Sequence, residues 1–108
     1  FLRSQKELEK NAIKILDKLS KVLIDNFQIN YQHSYVEAGS GSLPTEKIPS
    51  IVLCLKSNTI SSDKIYKKFL NSKTPLIGYI KNDIFHIDLK AIPNDQIDLL
   101  IQSIKNLK

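Results

Sequence analysis

His86 and Asp88 stand two residues apart in the run Ile84-Phe85-His86-Ile87-Asp88-Leu89. In an extended strand that spacing puts both side chains on one face, where a carboxylate can orient an imidazole for proton transfer. No nucleophile or third partner accompanies them, so a partly exposed strand histidine beside a carboxylate is the plainer reading. Tyr79 joins the same face if the segment folds back on itself as a hairpin. Tyr31, Tyr35 and Tyr79 have rings that can stack on bases, although strand tyrosines more often serve sheet packing. His33 is the second of the chain's two histidines, and two histidines without a spaced carboxylate pair make a poor ligand set, so no metal site is expected. Cys54 is the single cysteine, which rules out an internal disulfide and a cysteine-based zinc site. Its aliphatic neighbours mark it as a buried structural thiol.

The stretch AGSGSLPTEKIPS, residues 38 to 50, holds two of the three glycines. Gly39, Ser40, Gly41, Ser42, Leu43 and Pro44 do not form a dinucleotide fingerprint, because the third glycine is missing and no helix follows. No Gly-Lys-Ser or Gly-Lys-Thr is present for a phosphate loop, and neither serine has the flanking glycines of a nucleophile elbow. What remains is a run of backbone amides and hydroxyls that can cup an anion, or a plain surface connection. Both readings stay open, with long ordered loops leaning towards function. No catalytic constellation is complete within the chain.

The elements that must position these residues follow from periodicity. Leu8, Ala12, Ile15, Leu16, Leu19, Val22 and Leu23 recur at three and four, which predicts one long amphipathic helix from Ser4 to Phe27. Ile29, Tyr31, His33 and Tyr35 alternate with Asn30, Gln32 and Ser34, as a half-buried strand would. Ile51 to Lys56 reads as a central strand covered on both faces. Ser61 offers an N-cap to a short helix carrying Ile65, Phe69 and Leu70. Asn82-Asp83 suits a two-residue turn, pairing Lys81 with Ile84, Ile80 with Phe85, Tyr79 with His86, Gly78 with Ile87, Ile77 with Asp88 and Leu76 with Leu89. Asn94 is expected to cap a last helix lined by Ile97, Leu100, Ile101 and Ile104. The fold class is therefore α+β, a mostly antiparallel sheet of about four strands with helices packed on one face. The 108 residues hold one domain, with residues 1–27 as a connecting helix and 28–108 as the α+β body. Sixteen basic residues against 11 acidic ones leave a formal charge of +5, but lysines spaced through the first helix among Glu7, Glu9 and Asp17 read as a solvated face. With no long apolar run, the protein is expected to be soluble and cytoplasmic, with no membrane partner. Phe1 at the start and the absence of methionine lead us to expect a piece of something longer.

Two motifs in order, GSGSLPTEKIPS and PLIGYIKNDIFHIDLKAI followed by an amphipathic helix, resemble the C-terminal end of bacterial L-seryl-tRNA(Sec) selenium transferases. Gly39, Gly41, Ser42, Leu43, Pro44, Pro49 and Ser50 match the first family motif, and Pro75, Ile77, Gly78, Ile80, Asp88 and Leu89 match the second. The resemblance covers roughly Gly39 to Leu107. It implies the small C-terminal domain of a pyridoxal-phosphate enzyme of the aspartate-aminotransferase-like fold, with the Schiff-base lysine in a large domain preceding Phe1. No catalytic or cofactor-binding residue is then expected in this chain. By the same resemblance the partners are that large domain, seryl-tRNA(Sec), selenophosphate and further copies of the full-length chain. Glycines in a cleft-facing loop would allow close backbone approach, so Gly39 to Pro44 is expected to face the interdomain cleft. The sequence departs from the family at Ser40, Tyr79, Asn82-Asp83 and Lys90, where glycine, arginine, Asp-Gly and arginine are usual. Tyrosine at position 79 cannot imitate an arginine fork, which leaves open a related pyridoxal-phosphate lyase or transferase with another substrate, or a binding module without catalysis.

Overall fold

The computed structural model describes residues 3–38, 46–72 and 78–107. Ser4 begins the first helix, α1 (Gln5–Lys18), by accepting the Glu7 N–H on its hydroxyl at 3.2 Å. Leu8, Ala12 and Ile15 form its buried stripe. The single helix expected as far as Phe27 is in fact broken. Leu19 is extended (φ −98°, ψ 147°), and the Ser20 hydroxyl accepts the Leu23 N–H to start α2 (Lys21–Asn26). The break turns Leu19, Leu23 and Phe27 into the core while Val22 stays 67% exposed. Periodicity alone conceals such a break, because the apolar spacing runs straight through it. Ser20 is the local signal that outweighs it, since serine satisfies an orphan helix N–H.

Gln28, at φ 43°, reverses the chain into β1 (Asn30–Ala38). β1 pairs antiparallel with β2 (Glu46–Leu55), from Asn30 opposite Cys54 to Ala38 opposite Glu46. β2 thus starts five residues before the expected Ile51 and contains Pro49. Proline is tolerated there because β4 pairs only with Val52 to Leu55, leaving β2 with β1 as its one neighbour at position 49 among the described residues. The segment joining β1 to β2 shortens to residues 39–45, which lie outside the described residues. β1 is also less covered than expected: Tyr35 is 63% exposed, and Gln32, His33 and Glu37 are exposed.

After β2, Ser61 caps α3 (Ser62–Leu70) as its sequence predicts. β3 (Tyr79–Lys81) and β4 (Ile84–Asp88) form the expected hairpin, with Tyr79 opposite His86, Ile80 opposite Phe85 and Lys81 opposite Ile84. Asn82 and Asp83 have φ of 53° and 62°, the two left-handed residues of a turn whose twist matches the strands. The pairs foreseen for Leu76 and Ile77 fall on residues outside the described set, and β3 begins one residue after Gly78. A one-turn 3-10 helix at Leu89–Ala91 and another at Asn94–Gln96 lead to α4 (Ile97–Lys105). Asn94 does not cap α4. Its Oδ1 accepts instead from Arg3 Nη1 and Asn11 Nδ2, both at 2.9 Å.

The sheet order is β1-β2-β4-β3 with every described pairing antiparallel, so the fold is α+β. Ile51, Leu53, Leu55, Phe85 and Ile87 share one core with Leu8 and Ile15 of α1, Ile65 and Phe69 of α3, and Leu100 and Ile104 of α4. Phe85 is its centre, stacked on Phe69 at 5.2 Å between ring centroids and tilted against Tyr66 at 5.8 Å. Strand alternation sends Ser50, Val52, Cys54, His86, Asp88 and Tyr79 to the other face, away from these helices.

Candidate functional site

The face of the sheet opposite the helices brings Tyr79, His86 and Asp88 together, as their spacing predicts. Tyr79 and His86, directly opposite across β3 and β4, lie ring on ring with centroids 4.9 Å apart and planes 4° from parallel. Tyr79 is 47% exposed at the sheet edge. Partial burial, followed by the nearby Asp88 carboxylate and Cys54, raises its phenol above the ordinary value. His86 Nδ1 lies 2.8 Å from the Ile84 carbonyl oxygen, which can only accept, so Nδ1 carries the proton. Nε2 is then the ring nitrogen not engaged by the Ile84 carbonyl.

Asp88 does not orient His86. Its Oδ1 accepts from Ser50 Oγ at 2.5 Å and from the Lys90 N–H at 3.0 Å, capping the first 3-10 turn. Ser50 is itself fully buried, and its carbonyl accepts from Gln5 Nε2 at 2.9 Å. The carboxylate is thus occupied in joining β2, β4 and the turn that follows. Cys54 sits buried between the flanking strands, and burial raises its thiol above the ordinary range, which leaves it a protonated and poor nucleophile. His33 and Tyr31 occur on the helix side of β1, where both meet one carboxylate. Tyr31 Oη donates to Glu9 Oε2 at 3.1 Å, and His33 Nε2 stands 3.3 Å from the same oxygen. The hydrogen bond to Glu9, with smaller contributions from desolvation and the carboxylate charge, raises the Tyr31 phenol. These two residues latch β1 to α1. Gly39, Ser40, Gly41, Ser42, Leu43 and Pro44 lie outside the described residues.

Arg3 is the functional-looking residue that spacing could not reveal. Its guanidinium donates to the Ile92 carbonyl (2.8 Å), the Lys90 carbonyl (3.0 Å) and Asn94 Oδ1 (2.9 Å), while Lys90 Nζ donates to the Arg3 carbonyl (3.3 Å). The chain's one arginine therefore holds backbone carbonyls, and its partners lie 87 to 91 residues away.

A pyridoxal-phosphate site needs a lysine enclosed with the cofactor. Every described lysine is exposed or half-exposed: Lys56 pairs with Asp83 at 3.9 Å and Lys90 with the Arg3 carbonyl. The described residues do not fit that cofactor. Among them no three His, Cys, Asp or Glu side chains gather into a metal site, and no helix is long and apolar enough to cross a membrane. Two open grooves of about 470 and 700 Å³ lie on the helical side, and neither is lined by a candidate residue.

The family model described as L-seryl-tRNA selenium transferase matches residues 1–93. An L-seryl-tRNA(Sec) selenium transferase of Mannheimia succiniciproducens is 31% identical over 87 residues, 80% of this chain and 19% of the relative. The enzyme of that name from Haemophilus influenzae strain PittEE is 28% identical over 94% of this chain and 22% of its own length. That of Clostridium botulinum strain Hall is 25% identical over 99% and 23%. The chain spans about a fifth of the length of these curated relatives. With the family model covering most of its residues, the chain belongs to the L-seryl-tRNA selenium transferase family.

Proposed function

We propose that this chain is the small domain of a pyridoxal-phosphate enzyme that converts seryl-tRNA(Sec) to selenocysteinyl-tRNA(Sec) with selenophosphate as selenium donor. The family match over residues 1–93 carries this proposal. The cofactor and its lysine belong to the part of the relatives that this chain does not span, and residues 1–27 connect to it. Pyridoxal phosphate supplies an electron sink for the substrate's α-carbon. The full-length enzyme is a cytoplasmic homo-oligomer.

Within that enzyme the contribution of this chain is a surface beside the cleft. β1 and β2 run on as a two-stranded arm beyond the reach of β4, from His33 opposite Ile51 to Ala38 opposite Glu46. Residues 39–45 join the two strands of this arm, and we assign Gly39 to Pro44 to the cleft. Glycine at 41 permits close backbone approach to a bound group, and a branched side chain there would obstruct it.

The test uses the full-length protein loaded with cofactor, seryl-tRNA(Sec) and selenophosphate. Selenium-dependent formation of selenocysteinyl-tRNA is the expected result, and its absence from cofactor-loaded protein overturns the assignment. Gly41→Val is expected to lower turnover by about tenfold or more while the thermal midpoint holds. Unchanged turnover removes the loop from the cleft.

A further inference from the structure

We infer that the exposed sheet edge at Tyr79 is a stacking platform for an unpaired nucleobase of RNA, with Lys81 and Lys56 taking the adjoining phosphates. This rests on the proposed action on an aminoacyl-tRNA, but the geometry is independent of it. The helices α1, α3 and α4 all pack on the opposite face. His86 lies flat against one side of the Tyr79 ring, and Tyr79 as a residue is still 47% exposed, so the side of the ring turned away from His86 is the one left to a further ring. Tyr35 is more exposed at 63%, but no described ring stacks on it to hold it in place. A tyrosine serving only sheet packing would be covered, whereas one held rigid by a parallel ring with a side left open can extend the stack by one base.

The charges on this face agree with a polyanion. Lys81 follows Tyr79 by two residues on β3 and therefore shares its face. Lys56, just past the end of β2, reaches Asp83 at 3.9 Å in an exposed pair, a contact weak enough to yield to a phosphate. The nearest other acid, Asp88, already accepts two hydrogen bonds, from Ser50 and Lys90.

The experiment is binding of a short fluorescent single-stranded oligoribonucleotide to the full-length protein by anisotropy, beside a duplex of the same sequence. Tyr79→Ala is expected to weaken single-strand binding about tenfold, and Tyr79→Phe to keep it, because stacking needs the ring and not the hydroxyl. Lys81→Gln is expected to flatten the salt dependence by about 0.7 in log–log slope, one phosphate contact fewer. Circular dichroism checks that each variant folds, and Tyr79→Phe and Lys81→Gln keep the test decisive if Tyr79→Ala does not. Unchanged affinity in Tyr79→Ala, equal losses for single strand and duplex, or a variant that alters subunit assembly but not RNA binding would each overturn the platform. Tyrosine-dependent oligonucleotide binding without selenium transfer would sink the enzymatic assignment and leave the platform standing. Selenium transfer with an unaltered KM for tRNA in Tyr79→Ala would do the reverse.

Discussion

Cys54 shows how position on the sheet sets the chemistry of a single group. It lies buried in β2 between Asn30 of β1 and His86 of β4, and burial penalises the thiolate, raising the thiol's pKa. A folded state that holds its proton to higher pH than the unfolded chain has a contribution that is complete below the unfolded thiol's pKa. That contribution is lost as pH rises through and above that value, roughly 8.5. Tyr79, also raised, adds a further loss above roughly pH 10. Unfolding free energy measured by urea titration should therefore fall on the alkaline side. Cys54→Ala should lower the plateau, because a small void replaces the sulfur, and make the decline between about pH 8.5 and 10 shallower. An identical slope in the variant would assign the alkaline loss elsewhere. At this scale the sequence announced residue types and faces but not partners. His86 and Asp88 share a face as their spacing requires, yet Asp88 bonds Ser50, because the register of β2 against β4 is written nowhere in either segment.

At the scale of elements, legibility followed the strength of local rules. The β3–β4 hairpin could be read because alternation and the Asn82-Asp83 turn agree, and a slip of one residue would send Phe85 out of the core. Amphipathic spacing ignores a cap and so predicts one helix where α1 and α2 stand, and the apolar run that marks β2 begins only at Ile51 although pairing with β1 carries the strand back to Glu46. Gly78 carries a further local constraint. A Cβ placed there would fall against the His86 carbonyl oxygen and within 2.5 Å of Phe85 Cζ, so the backbone leading into β3 lies directly on the ring at the centre of the core. Phe85 is fully buried and packed against Phe69 and Tyr66, with no room to withdraw. Gly78→Ala should thus destabilise the protein by about 1–3 kcal/mol, the usual cost of forcing an extra carbon into a packed core. The same substitution should disturb the Tyr79–His86 stack one residue away. A chemical-denaturation midpoint within error of the parent would show that the hairpin can shift, and the close approach would then explain nothing about glycine at this position.

Across the whole molecule, the segment ahead of α1 and the segment between β4 and α4 are joined by contacts that no local pattern encodes. Arg3 ties the residues ahead of α1 to Lys90, Ile92 and Asn94, Asn11 adds a second bond to Asn94, and Lys90 returns one to the Arg3 carbonyl. In the sequence Arg3 is one more cation among lysines, and only the fold assigns it three acceptors. The planar fork matters here, because an ammonium is a point charge that cannot address two carbonyls and an amide oxygen in their separate directions. Lys14 and Asp98 also connect α1 to α4, at 3.7 Å, but both are well exposed and the pair contributes little. Arg3→Ala leaves two partly buried carbonyls without their donor and should cost about 1–3 kcal/mol. Arg3→Lys should recover only part of that loss. Hydrogen exchange offers the sharper reading: amides of residues 4–8 and 90–96 should lose protection together in Arg3→Ala, while the β3–β4 hairpin keeps its own. Were the two segments to respond separately, the clamp would be a surface contact and not the joint through which the leading segment moves as one body with the sheet.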